Sequence, residues 1–255
     1  MVYLDSHAHI LSEEFEEDFD EMLKTCFERG VTRINIMCTE QDEARRAMKV
    51  VEQDPLHFTM PYGIFPTDVE KVTEELWDGF LEIAYDKRCA CIGEIGLDYY
   101  WEKDETIRDK QKQLFIDQIK IANKVRKPIC VHSRDAMQDT FDIMKEYPSK
   151  GLLHSFSGSL EMANEFIKRG YYISIGGPVT FKNSRHAVEV VQGIDKNFLL
   201  SGTDSPYMAP EPVRGTRNVP FNIPYIVQKM ADVRNENVLD LAKTIDENWT
   251  RFLSQ

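Results

Sequence analysis

Short apolar runs rich in β-branched residues alternate along the chain with longer stretches whose apolar positions return every three or four residues. The first pattern is that of buried strands, the second that of amphipathic helices. Strands are predicted at residues 3–9, 31–38, 58–64, 89–97, 129–133, 152–156, 171–175 and 198–201. Helices are predicted between them at 13–29, 41–53, 72–86, 104–126, 135–146, 160–169 and 185–192, with a last one at 239–253. The stops agree with this division: Gly30, Gly170 and Pro128 each follow a periodic stretch. Eight strands alternating with helices predict parallel βαβ units and an α/β fold, a (β/α)8 TIM barrel. Residues 1–255 read as a single domain, without internal repeat or flexible linker. The Pro-rich stretch 206–224 is expected to be a long active-site loop, because too little chain follows it for a second domain.

Composition narrows the functional classes. The net charge of −12 argues against a broad basic surface for duplex nucleic acid. A polyanionic substrate would have to be drawn by a local positive site. No apolar run approaches the ~18 residues of a membrane span, and Met1-Val2-Tyr3-Leu4-Asp5 does not read as a secretory signal. Cys26, Cys38, Cys89, Cys91 and Cys130 are widely spaced, and most fall in apolar runs. They are expected to be buried free thiols in a reducing cytoplasm.

The candidate chemistry lies at strand ends. Asp5-Ser6-His7-Ala8-His9 ends the first strand, and a His-x-His on a strand points both rings to one side. Glu94 is late in the fourth strand and His132 ends the fifth. His154 is late in the sixth and Asp204 follows the eighth. A barrel brings the C-terminal ends of its strands onto one rim, where barrel enzymes carry out their chemistry. Six imidazole and carboxylate groups are too many for one tetrahedral ion with an open position. They suit two ions about 3.5–4 Å apart, with a bridging carboxylate and an activated water. Glu94 is the expected bridge. His7, His9 and Asp204 would complete one site, and His132 and His154 the other. Asp204 could also orient the water or accept its proton. Mixed His and carboxylate ligands accept Mg, Mn, Zn or Co.

Taken together, Asp5-x-His7-x-His9, Gly93-Glu94-Ile95-Gly96-Leu97-Asp98-Tyr99, Val131-His132-Ser133-Arg134, His154-Ser155-Phe156-Ser157-Gly158 and Thr203-Asp204-Ser205-Pro206-Tyr207 resemble the TatD family of metal-dependent hydrolases. Arg217-Asn218-x-Pro220 followed by Ile223-Pro224 resembles that family's late segment. The resemblance covers nearly the whole chain, in order. It implies an amidohydrolase-like barrel with two divalent ions, Mg or Mn in function and Zn also accepted. It further implies a cytoplasmic nuclease with 3′ to 5′ exonuclease action on DNA, single strands or 3′ ends. On it, His7, His9, Glu94, His132, His154 and Asp204 are the metal ligands. No membrane association and no obligate protein partner is expected.

Three positions depart from the family's pattern. Gly63-Ile64-Phe65-Pro66 stands where the family usually has Gly-(Ile/Leu)-His-Pro. That histidine is expected to face the substrate phosphate, whereas phenylalanine neither donates nor accepts a hydrogen bond. Gly202-Thr203-Asp204 replaces Glu-Thr-Asp, and His154-Ser155-Phe156 replaces His-Cys-Phe. Metal binding should survive, with altered substrate or rate. The competing readings are a two-metal amidohydrolase or esterase acting on a small molecule, and a degenerate member that binds metal without turnover.

Secondary candidates surround this set. Arg134 could pair with a phosphate in forked geometry, or else salt-bridge to Asp135 or Asp139. Tyr99, Tyr100 and Trp101 follow the fourth strand and could stack a base. Tyr99 and Arg134 are taken as substrate-binding residues. Lys182, Arg185, Arg214 and Arg217 fall in the last rim loops, and Asp98 is placed to brace a ligand. His57 and His186 are expected to be structural or exposed.

Overall fold

A computed structural model of the chain describes residues 2–254. Its centre is an eight-stranded parallel sheet: β1 (Tyr3–Ala8), β2 (Val31–Ile36), β3 (Phe58–Tyr62), β4 (Cys89–Asp98), β5 (Ile129–Arg134), β6 (Gly151–Leu153), β7 (Tyr172–Ile175) and β8 (Leu199–Ser201). Each strand pairs with the next in sequence. The edge between β8 and β1 is closed mainly at the rim. The Ser201 hydroxyl donates to the Leu4 carbonyl at 2.8 Å. Past the strand ends, Asp204 N–H donates to the His7 carbonyl at 2.9 Å, and His9 N–H to the Ser205 carbonyl at 2.8 Å. The result is the expected (β/α)8 TIM barrel.

The helices are α1 (Phe19–Glu28), α2 (Gln41–Gln53), α3 (Glu74–Tyr85), α4 (Glu105–Val125), α5 (Met137–Glu146), α6 (Leu160–Ile167), α7 (Arg185–Gly193), α8 (Ile223–Arg234) and α9 (Val238–Leu253). Several starts are set by side-chain caps that satisfy free backbone donors. Asp104 accepts from Thr106 N–H at 2.7 Å to open α4, and Asn237 accepts from Leu239 N–H at 2.8 Å to open α9. Arg126, at φ 57°, closes α4 ahead of Pro128. α9 buries Leu241, Ile245, Trp249 and Phe252 and packs on β1 and β8. Burying such side chains stabilises by roughly 1.5–3 kcal/mol each, so α9 covers the edge that has the fewest ladder bonds. No described helix is long and apolar enough to cross a membrane.

The structure departs from the sequence reading in three places that bear on the site. The helix predicted at 13–29 splits into a 3-10 turn, Glu13–Phe15, and α1, because Phe15 turns inward to full burial. β6 stops at Leu153, so His154 lies just beyond the strand. The stretch 206–224 is not one loop throughout. It ends in a 3-10 turn at Pro220–Asn222, and α8 starts at Ile223. Pro224 sits in the first turn of α8, where the missing N–H costs nothing. Counting it into a Pro-rich loop left α8 out of the sequence reading.

Candidate metal centre

The barrel brings all six expected ligands together. His7 and His9 lie at the end of β1, and their rings meet edge-on with centroids 5.2 Å apart. Glu94 reaches them from β4 by way of a bulge. Ile92 pairs with Ile129 but Ile95 with Val131, so three steps on β4 match two on β5. The extra residue locally re-aims the strand. Two glycines permit the close approach. A Cβ on Gly93 would lie 2.6 Å from the Cys130 carbonyl, and one on Gly96 2.0 Å from that of His132. Gly96 also takes φ +142°, which side-chain-bearing residues avoid.

Glu94 divides its two oxygens between two groups of imidazoles. Oε2 lies 3.4 Å from His7 Nε2 and 4.0 Å from His9 Nε2. Oε1 lies 2.9 Å from His132 Nδ1 and 2.5 Å from His154 Nε2. Asp204 Oδ1 faces the first group, 3.5 Å from His7 Nε2 and 3.7 Å from His9 Nε2. Two trios, His7-His9-Asp204 and His7-Glu94-His154, have ligand atoms all within 4.8 Å of one another. The buried His7 Nε2 has no hydrogen-bond partner, although it faces two carboxylates. An unpaired, buried lone-pair donor among carboxylates fits a divalent cation, because without one the atom is unsatisfied.

The electrostatics agree with a cation site. Burial, assisted by the charge of His154, lowers the His7 pKa to about 4, so that ring is held neutral and ready to ligate. Burial alone would raise the pKa of Glu94, but the imidazoles around it, through His154 and the hydrogen bonds from His132 and His154, hold it well below the ordinary range. Asp204 is likewise kept low against the effect of burial, chiefly by His9. His132 goes the other way. Against burial, hydrogen bonds to Asp98 and Glu94 raise it to about 9. A cation would replace that proton on Nδ1.

A layer of anchors holds the ligands in place. His132 Nε2 donates to Asp98 Oδ2 at 3.0 Å, leaving Nδ1 to face the centre. Asp98 Oδ1 also accepts from Tyr100 and Trp101 N–H, each at 3.0 Å, so it fixes the rim loop as well. Asp98→Ala is expected to weaken metal affinity by about 10–100-fold, read by chelator competition; an unchanged affinity would remove its bracing role. Asp5 performs the matching task on the other side. It accepts from His7 N–H at 3.2 Å, from Thr203 N–H at 2.8 Å and from the Thr203 hydroxyl at 2.5 Å. This fastens the Asp204 turn, where Asp204 takes φ 58°, to β1.

The centre opens into a cavity of about 490 Å3 whose lining includes Phe65, Trp101, His132, Arg134, Tyr207, Met208, Thr39 and Glu43. Arg134 makes no ion pair with Asp135 or Asp139. Its guanidinium lies over the Tyr100 ring at 3.8 Å and the Trp101 ring at 5.7 Å. Phe65 meets the His132 ring edge-on, with centroids 4.8 Å apart, and gives the cavity an apolar wall. Tyr99 requires a correction. Its ring is buried under Arg108 and its hydroxyl donates to Asp139 at 2.7 Å, so it does not line the cavity. Tyr100, Trp101 and Tyr207 are exposed aromatics at this rim.

Arg217 pairs with Asp18, and Arg185 with Glu189 at 2.9 Å. His57 pairs with Asp54, and His186 is exposed. All five cysteines are free and buried. The sequence reading assigned no role to Thr39, Glu43 or Tyr207. Glu43 sits in the first turn of α2 and accepts from Thr39 N–H at 2.7 Å. A carboxylate on a charged amphipathic helix reads as solvated, so no local signal marks it. Tyr207 follows Asp204 closely enough that the loop itself was the available signal.

A (β/α)8 barrel with His-x-His at β1 and four further His and carboxylate ligands at strand ends defines a metal-dependent hydrolase. The chain belongs to the TatD family: the family described as TatD related DNase matches residues 4–254. It is 36% identical over 251 residues to the uncharacterized metal-dependent hydrolase YabD of Bacillus subtilis, covering 97% of each chain. It is 31% identical to the uncharacterized metal-dependent hydrolase YcfH of Escherichia coli, covering 99% of this chain and 96% of that one. Among solved structures, the TatD homolog YJJV of Escherichia coli superposes with a TM-score of 0.89 at 25% identity, covering 98% and 97% of the two chains. A TatD family hydrolase of Entamoeba histolytica, at 20% identity with TM-score 0.86 and 99% and 98% coverage, shares the fold.

Proposed function

We propose that the protein is a two-metal nuclease that removes nucleotides from the 3′ end of single-stranded DNA by hydrolysing phosphodiester bonds. The observation that carries this reading is the divided Glu94 carboxylate, with two imidazoles beside each oxygen. His7, His9 and Asp204 would hold one ion, His132 and His154 the other, and Glu94 both. Two divalent ions in such a site lower the pKa of water and offset charge on a phosphoryl group.

The chain's own groups supply the rest. Asp204, kept ionised within the centre, accepts the proton of the attacking water at its carboxylate. Arg134, held over Tyr100 and free of acidic partners, presents its fork to the non-bridging phosphate oxygens. Trp101 at the mouth stacks the terminal base. Phe65 replaces a hydrogen-bonding contact to phosphate by an apolar one and is expected to slow turnover rather than abolish it. Buried free thiols suit the reducing cytoplasm.

Phe65 also favours a second reading, hydrolysis of a small ester or amide, because it makes one wall of the cavity apolar. The two are separated by release of nucleotides from a labelled single-stranded DNA oligomer. The assay uses metal-stripped protein with Mg or Mn restored, and His132→Ala as control. Metal-dependent shortening that the control loses is the expected result. Intact oligomer with metal bound would reject the nuclease and send the search to ester and amide panels.

A further inference from the structure

A second hollow, of about 620 Å3, opens beside the metal cavity among the loops that follow β6, β7 and β8. Its lining begins at Ser155 and Phe156, directly after His154, and Met208 walls both spaces. The floor is apolar, formed by the buried Phe156 and Val179. The mouth is cationic. The Arg214 guanidinium lies 4.1 Å from the centroid of the Phe181 ring. Its acidic neighbour Glu211 stands 3.9 Å away, a loose contact between exposed groups. Lys182 lines the same mouth and meets no carboxylate at ion-pair distance among the described residues. The loops are tied in advance, because Glu211 N–H donates to the Thr180 hydroxyl at 2.9 Å. On a chain of net charge −12, Arg214 over Phe181 with Lys182 beside it in sequence adds a second local positive feature to that of Arg134 in the metal cavity.

We infer that this hollow holds the nucleotide next to the scissile phosphodiester of a single-stranded polynucleotide. Phe181 and the plane of Arg214 offer a stacking face to the base, and Lys182 with Arg214 pairs the backbone phosphate. Because Met208 lines both spaces, they adjoin, and a strand lying across Met208 would reach from the metal cavity to the hollow. The inference rests on the nuclease reading, and the two can fail separately.

The test measures binding of fluorescein-labelled dT trinucleotide and of dT monophosphate in EDTA, where no turnover occurs. It compares the wild type with Lys182→Glu/Arg214→Glu, with Phe181→Ala, and with Lys120→Glu/Lys124→Glu on exposed α4 as a charge control. Both hollow variants should bind the trinucleotide at least ~10-fold more weakly. Monophosphate binding and metal-dependent hydrolysis of bis(4-nitrophenyl) phosphate should stay unchanged, and the control should match the wild type. No trinucleotide binding by the wild type overturns the inference. So does equal affinity in the hollow variants, or an equal loss for monophosphate or in the control. A wild type that binds the trinucleotide through these residues yet never shortens DNA upholds the hollow and rejects the nuclease.

Discussion

Glu94→Gln is expected to lower bound metal from two ions to one and to cut hydrolytic turnover by about 10³-fold or more, that is, about 4 kcal/mol. The reason is geometric. Glu94 presents Oε2 to His7 and His9 and Oε1 to His132 and His154, so both oxygens are engaged. Glutamine keeps the shape, but its NH2 is a donor and cannot ligate. One side of the pair must therefore face a cation with a group that repels it. Metal content after dialysis and steady-state turnover read the two effects together. A variant that retains two ions, or loses less than tenfold in turnover, would show that Glu94 does not bridge.

Asp5→Ala should give the largest loss of stability at the site. Asp5 is fully buried and accepts three hydrogen bonds, two of them from Thr203. Truncation strands the Thr203 N–H and hydroxyl, at about 1–3 kcal/mol for each unsatisfied group. A total near 3 kcal/mol corresponds to a Tm lower by roughly 10 °C for a chain of this size.

The pH dependence has a definite sign. Burial, only partly opposed by the Thr203 hydrogen bonds, raises the Asp5 pKa from 3.8 to about 7. The folded state therefore favours the protonated carboxyl. Its contribution is complete below pH 3.8 and is lost as pH rises through 7. In urea melts of metal-free protein, the gap between wild type and Asp5→Ala should be wide at pH 5 and narrower at pH 8. A gap that widens with pH would mean that Asp5 is ionised in the folded protein and that burial does not raise its pKa.

Much of the candidate centre, as a gathering of His, Glu and Asp side chains, was legible before any fold was known. His-x-His on a strand, and single ligands at the ends of four later segments, can be recognised because strand and helix periodicities mark where each segment ends. The barrel followed from the same alternation. The reading failed where local pattern and tertiary role diverge. Pro224, counted into a Pro-rich loop, lies in the first turn of α8, and Phe15 leaves the helical pattern because the core captures it. Tyr99 and Trp101 are close neighbours on one rim segment, yet one is locked under Arg108 and the other lines the cavity.

The sequence by itself determined the types and order of the candidate ligands and the barrel that gathers them, because these depend on residue chemistry and local periodicity. Only the tertiary structure decided that Glu94 splits its oxygens between two groups of imidazoles, that Asp98 and Asp5 hold the ligands in place, and that Arg134 and Lys182 stay free while Arg217 does not. Those outcomes depend on distances between residues remote in the chain, set by a one-residue bulge in β4 and by the way the rim loops pack.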